Sequence, residues 1–292
     1  MKGLKDLAGK FNEETLRQKT VLCEKWIEKF YNFVVSRVDN PEIKKRIRYV
    51  YENLTIYTAT QGKTMLPSYY NGRNDSFTMN KPGLFFQENC ETRIGEDNHS
   101  YTYVTPAVAI DSSLSQPATF LHETAHAFAY AMKYLDEEGG FYKGGLRIYQ
   151  IHNDCFQSKS GNLLDEGMTE AITKLFLQEN FEELSQDFPQ MKSAEPKGAY
   201  NSTNVLYEML DGGNNTLLIA AYFGGVEEYR AFEKHFDEVM ADQGITFKEL
   251  NMYRWEVEAN DSEKMEKLNY YAKIYKERYK QFSMQEDIEM DM

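Results

Sequence analysis

Apolar side chains recur at helical spacing through residues 13–38, where Leu22, Trp26, Phe30, Phe33 and Val34 fall on one stripe. Pro41 opens a second stretch of the same kind that runs to about Leu54. An N-terminal pair of helices is therefore expected. The period then shortens. Ile56–Ala59, Ser68–Tyr70, Ser76–Met79 and Leu84–Phe86 are short, rich in aromatic and β-branched residues, and separated by turn-formers such as Asn71-Gly72-Arg73-Asn74-Asp75. They predict a small, mostly antiparallel sheet, to which Tyr101–Val104 and Ala107–Ile110 add one or two strands. From Pro117 to Met132 the residues are small and apolar apart from one cluster, which predicts a buried helix. Leu146–Ile151 alternates as a half-buried strand does, and Ser158–Asn162 reads as a turn, so a hairpin or loop is expected between that helix and the next. Beyond residue 164 the pattern is helical, over 164–180, 200–211, 215–223, 226–240 and 260–282. The acidic end, Gln285 to Met292, reads as a frayed, solvated tail. The fold class expected is α+β, with a segment of helices over 1–54 and a larger domain over 55–292. That domain divides into a sheet lobe (about 55–135) and a helical lobe (about 160–285).

Composition narrows the classes of function. A chain of 292 residues buries roughly three quarters of its unfolded surface, enough for two lobes around a cleft. The formal charge of −13 opposes binding to phosphate backbones, which requires basic faces, so no nucleic-acid partner is expected. The one short basic run, Lys44-Lys45-Arg46-Ile47-Arg48, is interleaved with apolar residues and reads as the wet side of a helix. Residues 1–7 lack the apolar core of a signal peptide, and no run of eighteen apolar residues occurs, so no membrane partner is expected. Cys23, Cys90 and Cys155 form an odd, scattered set that fits reduced thiols in the cytoplasm better than a disulfide framework.

The chemistry is concentrated in the buried helix. His122-Glu123-Thr124-Ala125-His126 is an H-E-x-x-H motif, which composition alone would produce roughly 0.01 times in a chain like this. Residues four apart share a helix face, so His122 and His126 can offer two imidazole nitrogens to one metal, while Glu123 can reach a water beside it. A catalytic zinc needs a third protein ligand and an open position. Glu166, in Leu164-Asp165-Glu166-Gly167-Met168-Thr169-Glu170, is the obvious candidate. One Zn²⁺ is the cofactor expected. His152 lies in the intervening polar stretch and reads as a solvated side chain.

These two segments resemble the gluzincin branch of the zincin metallopeptidases, in which H-E-x-x-H on one helix is completed by a Glu on the next. The likeness covers approximately residues 100–240 and is specific around 118–134 and 161–176. It implies a zincin-like fold with Glu166 as zinc ligand and Glu170, one turn later, holding a ligand from behind. Asp165 stands where such enzymes commonly have Asn, and the 39 residues between His126 and Glu166 exceed the spacing of compact members. The implied activity is hydrolysis of peptide or protein substrates, with Glu123 as general base and a downstream Tyr or His donating to the oxyanion. Tyr200, before the helix that begins near Ser202, is the leading candidate for that donor. Tyr207 and Tyr222 fall within amphipathic patterns, and His235 is expected on an exposed helix. Two other readings use the same residues: a zincin-fold binding protein without peptidase activity, and a zinc hydrolase acting on a non-peptide amide.

Overall fold

The computed structural model describes residues 1–70, 73–79, 81, 83–94, 100–111, 117–129, 141–152, 155–160, 162–193, 202–252 and 262–290. Helices α1 (Glu13–Val35) and α2 (Pro41–Asn53) form as the periodicity predicts. Each has its start fixed by an asparagine: the Asn12 side chain accepts from the Thr15 amide, and that of Asn40 from the Glu42 and Ile43 amides. Their buried faces carry Trp26, Phe30 and Phe33 in α1, and Ile43, Ile47 and Val50 in α2.

Strand β1 (Gly3–Asp6) precedes α1, and β2 (Thr55–Ala59) follows α2. The two pair in parallel, so α1 and α2 form the crossover between them. The N-terminal helices and the helices downstream thus contribute to a single apolar core. Strands β5 (Gly83–Ile94) and β6 (Ser100–Asp111) complete a sheet of order β1-β2-β6-β5. In this sheet β2 and β6 are parallel, and β6 and β5 antiparallel. The principal sheet is therefore mixed rather than mostly antiparallel: β2 lies parallel to β6 as well as to β1, a four-residue strand too short to show periodicity. Antiparallel pairing governs the two smaller units. These are the hairpin of β3 (Met65–Tyr70) and β4 (Arg73–Thr78), and a meander of β7 (Phe141–Gly144), β8 (Arg147–His152) and β9 (Cys155–Ser160).

Residues 100–111 form one strand despite Pro106. Pairing of β2 with β6 starts at Thr55 opposite Ala107, so the proline sits just outside the doubly paired part, beside an irregularity at Gln87/Asn89. Alternation along the sheet divides its two faces. Ile56, Val108 and Ile110 enter the helical core, while Tyr57, Ala59, Ala107 and Ala109 pack with Leu66, Met79 and Phe86 beneath the β3–β4 hairpin.

Helix α3 (Pro117–Ala129) lies against β5 and β6, and α4 (Asn162–Glu179) packs on α3. Phe30 of α1 locks the pair together: its ring stacks on Phe128 of α3 at 5.9 Å and meets Phe176 of α4 edge-on at 5.1 Å. Among the described residues the α-helices that follow are α5 (Phe181–Asp187), α6 (Ser202–Leu210), α7 (Thr216–Phe223), α8 (Val226–Val239), α9 (Phe247–Met252) and α10 (Ser262–Met290). Two sequence expectations fail here. Where a turn was expected over Ser158–Asn162, Ser158–Ser160 belong to β9 and Asn162 opens α4. The acidic end is helical as far as Met290, carried on as an extension of the long α10. No helix among the described residues is long and apolar enough to cross a membrane, and Cys23 is a buried free thiol.

Candidate metal centre

Both histidines come from α3, whose second half is buried from Thr124 to Ala129. Their rings meet edge-to-face, with centroids 4.8 Å apart. Glu166 comes from the first turns of α4, which is drawn close to α6 at Gly167. A Cβ on that glycine would stand 2.2 Å from Ser202 Oγ. The result is a convergence on one oxygen: His122 Nε2 and His126 Nε2 each lie 3.2 Å from Glu166 Oε2. All three donor atoms fall within 4.8 Å of one another, and the group could hold a metal ion. A tetrahedral site with bonds of about 2.0–2.1 Å has donor-to-donor edges of roughly 3.4 Å, so two of the three edges already match zinc dimensions.

The neighbours of Thr169 favour one tautomer of His126. The single proton of Thr169 Oγ1 is directed at the Asp165 carbonyl, 2.7 Å away, which can only accept. A hydroxyl that donates there keeps two acceptor positions, and its two other neighbours, Tyr222 Oη at 2.5 Å and His126 Nδ1 at 3.3 Å, are placed to donate into them. Asp165 Oδ2, 3.5 Å from Nδ1, favours the same protonation. With its proton on Nδ1, a neutral His126 turns the Nε2 lone pair toward a carboxylate oxygen. That arrangement is repulsive unless a proton or a cation stands between them, and this is the fit a metal requires.

The electrostatics agree. Burial by itself would raise the Glu166 carboxyl, but hydrogen bonds from His122 and His126, together with the charges of His126 and Arg147, hold it well below the usual carboxylate range. Burial would likewise depress His126, yet its hydrogen bond to Glu166 and the charges of Asp165, Glu166 and Glu123 raise it. Asp165 and Glu166 are bracketed from the other side by Arg147, the first residue of β8. Its Nη2 bonds Glu166 Oε1. Its Nε lies 2.7 Å from Asp165 Oδ2, close but off the line of a hydrogen bond. The β7–β8 turn makes this possible. Gly145 has φ +62°, a Cβ there would come within 1.8 Å of Asp165 Oδ1, and that oxygen accepts from the Leu146 amide at 2.9 Å.

Glu123 faces the edge strand. Its Oε2 accepts from the Phe85 amide at 2.8 Å, and it packs close to Gly83. Glu170 is buried and accepts from Thr203 Oγ1 on α6 at 2.6 Å. Asp165 and Thr169 both reach His126 Nδ1, at 3.5 and 3.3 Å; the sequence left the role of Asp165 open. Among the candidates for an oxyanion donor, Tyr200 lies outside the described residues. Tyr207 donates to Gln178 Oε1 at 2.5 Å. Tyr222 is fully buried behind His126. His235 is not on an exposed face: it is buried against Tyr275, Tyr279 and Phe282 where α8 meets α10. Arg147 was missed because an Arg in a period-two strand reads as its wet side. The pair of glycines before it, Gly144-Gly145, was the available signal.

No family model, curated protein or solved structure matches the chain.

Proposed function

We propose that the chain is a zinc-dependent peptidase of gluzincin type, in which His122, His126 and Glu166 hold the metal and Glu123 moves the proton. The observation that carries this reading is the convergence of two imidazole Nε2 atoms on Glu166 Oε2, next to a glutamate from the same helix. Two imidazoles and one carboxylate with room for a fourth ligand suit zinc above the other common divalent ions. Once bound, zinc would supply a Lewis acid that acidifies a water and polarises the scissile carbonyl. The chain's own residues do the rest. Glu123, tethered through Oε2 by the Phe85 amide, keeps Oε1 to accept a proton from the attacking water and pass it to the leaving amine. Asp165, Thr169 and Arg147 keep the ligands in register. Tyr200 is the proposed oxyanion donor, a reading supported by the engagement of Tyr207, Tyr222 and His235 elsewhere. An intact Glu123 in reach of the site favours hydrolysis over a pure binding role.

The test is metal-dependent cleavage. Purified protein is expected to carry about one zinc, to lose peptide hydrolysis on chelation and to regain it with added zinc, whereas Glu166→Ala does neither. Cleavage that survives complete chelation would overturn the proposal.

A further inference from the structure

Tyr222 is the largest polar side chain buried near the metal centre, and the hydrolytic scheme gives it no part. It belongs to α7, which carries none of the three candidate ligands. Its hydroxyl reaches Thr169 on α4, and Thr169 Oγ1 reaches His126 Nδ1 on α3. All of Tyr222, Thr169 and Asp165 are 0% exposed, so water does not stand in for any missing partner along this line. Thr169 Oγ1 donates to the Asp165 carbonyl, and Tyr222 Oη and His126 Nδ1 converge on its remaining acceptor positions, an arrangement in which each would donate to one oxygen.

We infer that Thr169 and Tyr222 are positioning residues for the metal, Thr169 by holding the Nδ1–H of His126 and Tyr222 by holding Thr169. The tyrosine orients the hydroxyl: with Tyr222 donating, the Thr169 lone pair left over is the one that faces His126. Without Tyr222 the threonine oxygen loses a donor in a dry site, and its rotor is no longer tied to α7. The functional consequence is that α7, part of the helical lobe, sets the ring orientation of a ligand on α3. This is a role different from donation to the oxyanion, which needs a hydroxyl aimed into the cleft. It rests on the metal reading of His122, His126 and Glu166 but not on peptide hydrolysis.

Zinc affinity measured by competition with a chromophoric chelator tests the inference, using the full chain and four variants. Thr169→Val, which removes the hydroxyl at nearly constant shape, is expected to weaken zinc binding about 10- to 100-fold, the usual effect of losing a partner of a ligating histidine. Thr169→Ser is expected to stay within about 3-fold of the wild type, a rescue that packing alone does not give. Tyr222→Phe should weaken binding several-fold on its own and have no further effect in a Thr169→Val background, because its influence passes through Thr169. Thermal melts of the metal-free proteins separate this from simple destabilisation: a structural role lowers the melting temperature and leaves the affinity unchanged. Unchanged zinc affinity in Thr169→Val and Tyr222→Phe would overturn the relay while leaving the metal site intact. A Tyr222→Phe effect that persists in full beside Thr169→Val would overturn the route through Thr169. A wild-type chain that takes up no zinc would remove the site itself, and the relay with it.

Discussion

At the residue scale, the division of labour between Glu123 and Glu166 makes opposite demands on two carboxylates from neighbouring helices. Glu166 faces two imidazoles and an arginine, and its carboxyl is held strongly ionised. Glu123 is held differently, its Oε2 accepting from the Phe85 amide beside Gly83. Glu166→Ala should therefore abolish tight zinc binding, while metal analysis showing full occupancy in that variant would reassign the third ligand. Tyr200→Phe should lower kcat roughly 10²-fold and leave KM and zinc content nearly unchanged, the pattern for a donor used in the transition state. An unchanged kcat would remove Tyr200 from the site.

His126 gives a pH prediction with a definite sign. Its pKa in the metal-free fold is raised, so its contribution to stability is fully present below the unfolded value of about 6.5 and is lost as pH rises through the folded one. The metal-free protein should lose thermal stability as the solution is made more alkaline across that window. Zinc competes with the same proton, so its affinity should fall as pH drops through the folded pKa, beginning above about 6.5. Melts and chelator competition at a series of pH values check both. A metal-free protein whose stability rises across the window would contradict the assignment of His126 as the raised group.

At the scale of elements, the turn between β7 and β8 decides whether Asp165 and Glu166 are held at all. Gly145→Ala places a methyl group into Asp165 Oδ1 at a left-handed backbone position, so the turn must move away and take Arg147 with it. The cost should be about 2 kcal/mol or more, with weakened zinc binding, measurable by denaturant titration and chelator competition. A neutral Gly145→Ala would show that the β7–β9 meander does not brace the ligands.

Elements with long, regular periods were legible in the sequence. The stripe of Trp26, Phe30 and Phe33 in α1 and the two ligand helices are formed where the spacing predicts. Strand β1 was not, because four residues give no period, and its parallel pairing depends on a partner more than fifty residues away. Within the site, the approach of His122 and His126 to each other was readable because helical spacing puts them on one face of α3. Asp165, Thr169 and Arg147 were not, since their contacts join β8, α3 and α4 across the core. His235 misled for the opposite reason: its charged neighbour Lys234 suggested a wet face, but α10 covers that position with Tyr275 and Tyr279.

At the scale of the whole molecule, the proposed ligands arrive from α3 and α4, the proposed base is tethered to β5, and the bracing arginine comes from the meander. Metal binding should therefore stabilise the fold broadly. Free zinc at 1,000 times its Kd contributes about 4 kcal/mol, so the melting temperature should rise by several degrees on loading and fall back on chelation.

Glu123 is proposed to move the proton in hydrolysis at a metal held by His122, His126 and Glu166. The most direct measurement is cleavage of a diverse peptide library, read by mass spectrometry, with wild type and Glu123→Gln loaded to equal zinc content. Hydrolysis by the wild type and a loss of at least 10²-fold in the variant, at unchanged zinc and melting temperature, is the predicted result. Equal cleavage by the two proteins, or no cleavage of any peptide by the zinc-loaded wild type, would contradict it.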